Sequence, residues 1–173
     1  MEHIFLAGLM GSGKSTLAKE LSFHLGRPSY DLDIRVSEKY KTSIPNMIAE
    51  GGWEFFRKRE HDELLSIAFE QEGIVALGGG TVLNPDSFPF MRSYGASIYL
   101  DVPLKSLVKR IGLDRQRPLL AEVKSEVDLI AKLQQLNEER FRYYSQCDLK
   151  LTIDDGELIE ETTMRILDLV KKK

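Results

Sequence analysis

Gly8-Leu9-Met10-Gly11-Ser12-Gly13-Lys14-Ser15 matches the pattern G-x-x-x-x-G-K-[ST] without a gap. A short apolar run, His3–Ala7, precedes it, and Lys14–Leu25 follows with Leu17, Leu21 and Leu25 recurring every fourth residue. Buried strand, glycine-rich turn and amphipathic helix in that order separate a phosphate-binding loop from a merely structural turn. Glycines let the backbone curl so that successive N–H groups point inward at phosphate oxygens. The helix that begins there adds the positive end of its dipole. Lys14 is placed to reach the β- and γ-phosphates of a nucleotide, and the Ser15 hydroxyl to ligate Mg²⁺. The loop predicts nucleotide binding and leaves the reaction open.

Beyond the loop, strand-like runs at Ser29–Leu32, Ile74–Leu77, Ser97–Val102 and Asp148–Ile153 alternate with helical patterns. The helices expected are Glu54–Glu70, Leu104–Ile111, Glu126–Tyr144 and a last one from Glu157 onward. That alternation predicts an α/β fold, βα units around a parallel sheet, in one domain spanning residues 1–173. The long helix carries Leu129, Leu133, Leu136 and Phe141 on its apolar side, and the last carries Ile159, Thr163, Ile166, Leu167 and Val170. Lys171–Lys173 fall where cations suit a helix C-terminus. Gly112–Lys124 breaks the pattern with Gly, Arg and Pro between two helices, and a loop of that length predicts a mobile lid.

A net charge of -3 and a pI near 5.7 argue against a nucleic-acid-binding or anionic-membrane surface, so any basic site is local. No run approaches the roughly 18 apolar residues that span a bilayer. The apolar start lacks a basic segment before it and reads as a strand, not a signal peptide. The single Cys147 forms no internal disulfide, suits a reducing cytoplasm and reads as packing. His3, His24 and His61 share no metal-ligand spacing, and Trp53 reads as packing.

Chemistry beyond nucleotide binding rests on four further groups of residues. Asp31-Leu32-Asp33 is expected to end the second strand, with both carboxylates on one side beside the phosphate loop. One can hold Mg²⁺ through water while the other accepts a proton from an attacking hydroxyl. Gly78-Gly79-Gly80 follows the third strand at the same edge, and three glycines make sense if a ligand approaches the main chain closely. Arg57 and Arg140 are candidates for clamping a carboxylate with forked hydrogen bonds. In the lid, Arg117 of Arg117-Pro118-Leu119-Leu120 is suited to stabilising charge on a transferring phosphoryl group, and Arg110 to lying against adenine.

In chain order these elements, GLMGSGKST, Y-D-L-D, F-R-K-R-E, L-G-G-G-T, R-P-L-L and R-F-R-Y-Y, resemble the shikimate kinase family over nearly the whole sequence. The resemblance implies a three-layer P-loop kinase fold, a five-stranded parallel sheet flanked by helices with a mobile lid. It implies a substrate-binding helical region at about 33–62 and the lid at about 112–124. The implied reaction is ATP-dependent phosphorylation of the 3-hydroxyl of shikimate, on the route to chorismate and aromatic amino acids. Gly11, Ser12, Gly13, Lys14, Ser15 and Thr16 would bind ATP phosphates, Ser15 would bind Mg²⁺, and Asp31 would assist through water. Asp33, Arg57, Gly79 and Arg140, with the neighbouring Gly78 and Gly80, would hold shikimate, Asp33 as base and the arginines on the carboxylate. Arg117 would serve as the lid arginine, Arg110 would lie by the adenine, and Ile153-Asp154-Asp155 would form part of its pocket. Family members usually act as monomers. Where they often have Gly-Glu before the F-R motif, Trp53 follows Gly52 here. A gluconate kinase would place His-Pro after the acidic motif, but Asp33 is followed by Ile-Arg-Val. A silent nucleotide-binding module would need no carboxylate clamp.

Overall fold

The computed structural model describes residues 2–112 and 118–171. Five strands, β1 (His3–Ala7), β2 (Ser29–Asp31), β3 (Ile74–Ala76), β4 (Gly95–Asp101) and β5 (Leu149–Thr152), pair in the order β2-β3-β1-β4-β5. Every pairing is parallel. β1 lies at the centre and is buried along its whole length, as a strand covered on both faces must be. Its register on β3 sets Leu6 against Ala76, and on β4 sets Ala7 against Tyr99. The carboxyl ends of β1, β2 and β3 therefore emerge together, which is where an open parallel sheet binds its ligands.

Among the described residues seven α-helices flank the sheet: α1 (Lys14–Leu25), α2 (Leu32–Tyr40), α3 (Ile44–Ser66), α4 (Ser87–Tyr94), α5 (Leu104–Ile111), α6 (Glu126–Tyr144) and α7 (Ile159–Lys171). α1, α5 and α6 have the bounds expected from their periodicity. α6 starts at a capping box in which Ser125 and Asp128 each satisfy the other's backbone N–H. Along its inward face Leu129, Leu133 and Leu136 are buried, but Arg140 and Tyr144 continue that face. Phe141, expected on the apolar side, is about half exposed. α7 begins at Ile159, two residues later than expected, and buries Thr163, Ile166 and Leu167. Lys172 and Lys173 lie outside the described residues.

Two helices differ from expectation in a way that shapes the site. β2 stops at Asp31, whose carboxylate accepts from the backbone N–H groups of Asp33 and Ile34 and so caps α2. α3 starts at Ile44, ten residues early, behind a Ser43 cap and with Pro45 in its first turn. It is broken at Gly52, whose φ of 76° and ψ of -179° suit glycine. Most apolar residues form one core around the sheet. Val36, Met47 and Phe56 make a separate small core between α2 and α3, with Tyr40, Ile44 and Ile48 partly buried against it. Among the described residues no helix is long and apolar enough to cross a membrane.

Candidate active site

The phosphate loop links the end of β1 to the start of α1. Gly11 sits at φ 76°, and a Cβ there would begin 2.7 Å from Ile111 Cγ1, so side-chain packing as well as backbone conformation demands glycine. Lys14 is buried and its ammonium donates to the carbonyls of Gly8 (2.8 Å) and Leu9 (2.9 Å). A longer contact, 3.3 Å, reaches Ser12 Oγ. The lysine is thus held inside the curl of the loop. Ser15 Oγ donates to Asp31 Oδ2 at 2.5 Å, bringing a hydroxyl and a carboxylate together beside the loop.

A cavity opens over this loop, with Gly11, Gly13, Lys14, Ser15 and Thr16 on its floor. Arg110 and Ile159 stand on its wall, and Arg110 Nη1 reaches Gly11 O at 3.5 Å. Ser12 is buried within the loop itself. Ile153 is only 2% exposed and belongs to the main core, while its N–H donates to Asp101 O. Ile159, the first residue of α7, lines the cavity with Met10 and Leu77, and Ile153 is not among the lining residues.

Asp31 and Asp33 come together by a different route from the one their spacing suggests. Asp31 ends a strand and Asp33 lies in the first turn of α2, so helix geometry rather than strand alternation sets their directions. Burial, with help from the nearby charges of Glu60 and Asp31, raises the Asp33 carboxyl to about 6; Lys14 and Arg57 oppose this. A carboxylate poised near neutrality has the basicity needed to take a proton from an alcohol.

A second cavity, of about 240 Å³, adjoins the first, and Met10, Asp33 and Gly79 line both. Arg57 enters it from α3 and is held on several sides. Its guanidinium lies 5.3 Å from the Trp53 ring centroid and 5.1 Å from that of Phe56. Its Nη1 is ion-paired with Glu60, three residues on. Glu60 is 1% exposed, and its other oxygen accepts from Thr81 Oγ1 at 2.7 Å. Arg140 enters from α6, 4% exposed, and donates from Nη1 to Gly79 O at 2.9 Å. Tyr144 Oη donates to the same carbonyl at 2.6 Å.

Two of the three glycines stand hard against these side chains. A Cβ at Gly78 would lie 2.1 Å from Glu60 Oε1 and 2.8 Å from Asp33 Oδ1. At Gly80 it would lie 2.2 Å from Arg57 Nη2. Gly79 has more room, 3.3 Å from Arg140 Nη1, and is the one that faces both cavities.

Pro118 and Leu119 line the second cavity, next to Leu120, which is buried in the main core with Val123. The C-terminal half of the expected lid is therefore anchored. Arg117 lies outside the described residues.

Sequence reasoning did not single out Glu60, Tyr144 or the aromatic faces of Trp53 and Phe56. Glu60 follows Arg57 by three positions and Tyr144 follows Arg140 by four, both the spacing of neighbours on a helix face. Trp53, read as packing, lines the cavity and covers Arg57. Cys147 fits the packing reading, since burial pushes its thiol up to about 12.

Comparison with known proteins agrees with this geometry. A family model described as shikimate kinase matches residues 10–171. The shikimate kinase of Nostoc punctiforme is 35% identical over 97% of this chain and 90% of its own. That of Synechococcus elongatus is 38% identical over 96% and 85%. The crystal structure of shikimate kinase from Bacteroides thetaiotaomicron superposes with a TM-score of 0.89 at 29% identity, covering 98% of each chain. Shikimate kinase from Acinetobacter baumannii, solved in complex with shikimate, gives 0.92 at 27% identity, covering 99% of this chain and 94% of that one. By its motifs, its fold and these matches, the chain belongs to the shikimate kinase family.

Proposed function

We propose that this enzyme transfers the γ-phosphoryl group of ATP to the 3-hydroxyl of shikimate, giving shikimate 3-phosphate and ADP. The observation that carries the reading is Asp33, a carboxylate raised to about 6 that lines both the phosphate-loop cavity and the arginine-lined cavity. Arg57 and Arg140 hold the shikimate carboxylate, which leaves the ring hydroxyls toward Asp33. Asp33 accepts the 3-hydroxyl proton as that oxygen bonds to the γ-phosphorus. The bond from phosphorus to the β–γ bridging oxygen breaks, and its electron pair leaves with ADP. Lys14 leaves the loop carbonyls to neutralise charge on the phosphates, and Arg117 keeps the lid role that the family resemblance assigns to it.

The residues beside the loop fit magnesium: Ser15 Oγ and Asp31 Oδ2 are a hard, all-oxygen pair, and ATP phosphates and water complete such a site. When bound there, Mg²⁺ supplies positive charge to the β- and γ-phosphate oxygens. Ile159 and Arg110 offer adenine an apolar side and a guanidinium plane. A lone Cys147, which can form no internal disulfide, and the metabolic substrates favour action in the cytoplasm, as the monomer that the family resemblance implies.

A coupled assay of ADP release tests the reading. Turnover should depend on shikimate and be absent with gluconate. Absence of turnover with millimolar shikimate, or ATP consumption independent of any acceptor, would overturn it.

A further inference from the structure

Among the described residues, the carbonyl of Gly79 is the one backbone acceptor that ties the acceptor arginine on α6 to the segment beside the phosphate loop. It receives Arg140 Nη1 at 2.9 Å and Tyr144 Oη at 2.6 Å, so both of its lone-pair directions are used. Gly79 in turn abuts the loop: a Cβ there would lie 3.7 Å from Met10 N and 3.9 Å from Gly8 O. Arg140 is anchored by Nη1, while its Nε is buried with no partner among the described residues. Its guanidinium therefore depends on Nη1 and on the neighbouring Tyr144 hydroxyl, which interacts with it directly, to fix its rotation. Tyr144, one helical turn further along α6, is 1% exposed and cannot move independently. Its ring stacks on Tyr99 with centroids 4.9 Å apart and planes 8° from parallel. Tyr99 is itself pinned, its hydroxyl donating to Asp101 Oδ1, which is paired with Lys150.

From this chain of contacts we infer that Tyr144 is a positioning residue for phosphoryl transfer. By sharing the Gly79 carbonyl with Arg140, it sets where the carboxylate clamp stands relative to the phosphate loop. The inference rests on the acceptor reading above and deepens it. A tyrosine that only filled space would need its ring and not its hydroxyl. Here the hydroxyl is spent on the carbonyl that the arginine also uses.

Removing the hydroxyl leaves the Gly79 carbonyl free to tilt, and Arg140 with it. Loss of one neutral hydrogen bond corresponds to roughly a fivefold effect when it is expressed in binding. Tyr144→Phe keeps the ring stack and should raise the shikimate KM by about fivefold while leaving the ATP KM within about twofold. In an Arg140→Ala background the same substitution should change the shikimate KM no further, because the hydroxyl acts through the arginine. Tyr99→Leu, which removes the stacking partner but keeps the hydroxyl, should lower Tm more than it alters the shikimate KM.

An unchanged shikimate KM in folded Tyr144→Phe, or equal effects in both backgrounds, overturns the inference. If the wild-type chain fails to turn over shikimate at all, the acceptor reading falls separately. Proton exchange at Arg140 Nε, followed by NMR in the unliganded protein, then decides the positioning claim. Faster exchange in Tyr144→Phe than in wild type upholds it, and equal rates overturn it.

Discussion

Replacing Glu60 by Gln should disturb three measurable properties at once, because that carboxylate serves Arg57, Thr81 and Asp33 together. Glu60 is 1% exposed and forms the buried half of an ion pair whose other half, Arg57, is about a quarter exposed. Removing one partner of a buried pair costs about 3–5 kcal/mol; with Arg57 reached by solvent, the lower figure of about 3 applies. For a domain of this size that lowers Tm by roughly 6–12 °C. Arg57 then keeps a neutral hydrogen bond to the amide oxygen in place of the ion pair, beside its two aromatic faces, so its hold on the acceptor weakens. A charged hydrogen bond worth about 1.5 kcal/mol corresponds to a rise of about tenfold in shikimate KM.

The third effect is on pH. Asp33 must be ionised to act as base, so activity falls as pH drops through about 6. Burial is the largest cause of that raised value and the Glu60 charge the next. Neutralising Glu60 therefore lowers the Asp33 value, by less than burial raises it. The acidic limb of kcat should move to lower pH. Thermal denaturation and pH-rate profiles with saturating ATP and shikimate read all three effects. An acidic limb that stays in place or moves upward would refute the assignment of Asp33 as base under the influence of Glu60. An unchanged shikimate KM would refute the support of Arg57.

Gly80→Ala isolates the arginine from the backbone: φ of -118° suits any residue, but the new methyl would start 2.2 Å from Arg57 Nη2. We expect shikimate KM to rise by about tenfold with ATP KM unchanged, checked by steady-state kinetics. Trp53→Ala removes one face from Arg57, and a cation–π contact of about 1 kcal/mol predicts a rise of about fivefold in shikimate KM, most of it recovered in Trp53→Phe. Chelation of divalent metal should abolish turnover, and Ser15→Ala should raise the free Mg²⁺ needed for half-maximal rate by about tenfold, read from initial rates against free Mg²⁺.

Where a local pattern carries its own physical requirement, sequence reading reached the structure. The strand, loop and helix from His3 to Leu25 have the expected bounds because the motif demands all three. α6 also matches, since Leu129, Leu133 and Leu136 recur at helical spacing behind a Ser125 cap. α2 escaped because β2 has only three residues, and Asp31-Leu32-Asp33 continues its alternation on paper while Asp31 caps a helix in space. The start of α3 escaped because Gly51-Gly52 reads as a break, yet the helix resumes after one left-handed glycine. At the site, Arg57, Arg140, Asp33 and the three glycines were legible from charge and position. The reason for Gly78 and Gly80 was not, because it lies in side chains from other helices. Glu60 and Tyr144 also bond to Thr81 and Gly79, 21 and 65 residues away in the chain, and no local pattern announces those long-range partnerships.

The small core of Val36, Met47 and Phe56 gives the acceptor side of the molecule its own cooperative unit. With so few buried apolar groups of its own, it can open while the sheet stays folded, so its amides exchange with deuterium through sub-global fluctuations. Phe56 belongs to this unit and also faces Arg57. Occupancy of the arginine would then slow exchange across residues 36–56 and leave β1 unaltered, so that substrate affinity and the local stability of one lobe become a single linked equilibrium.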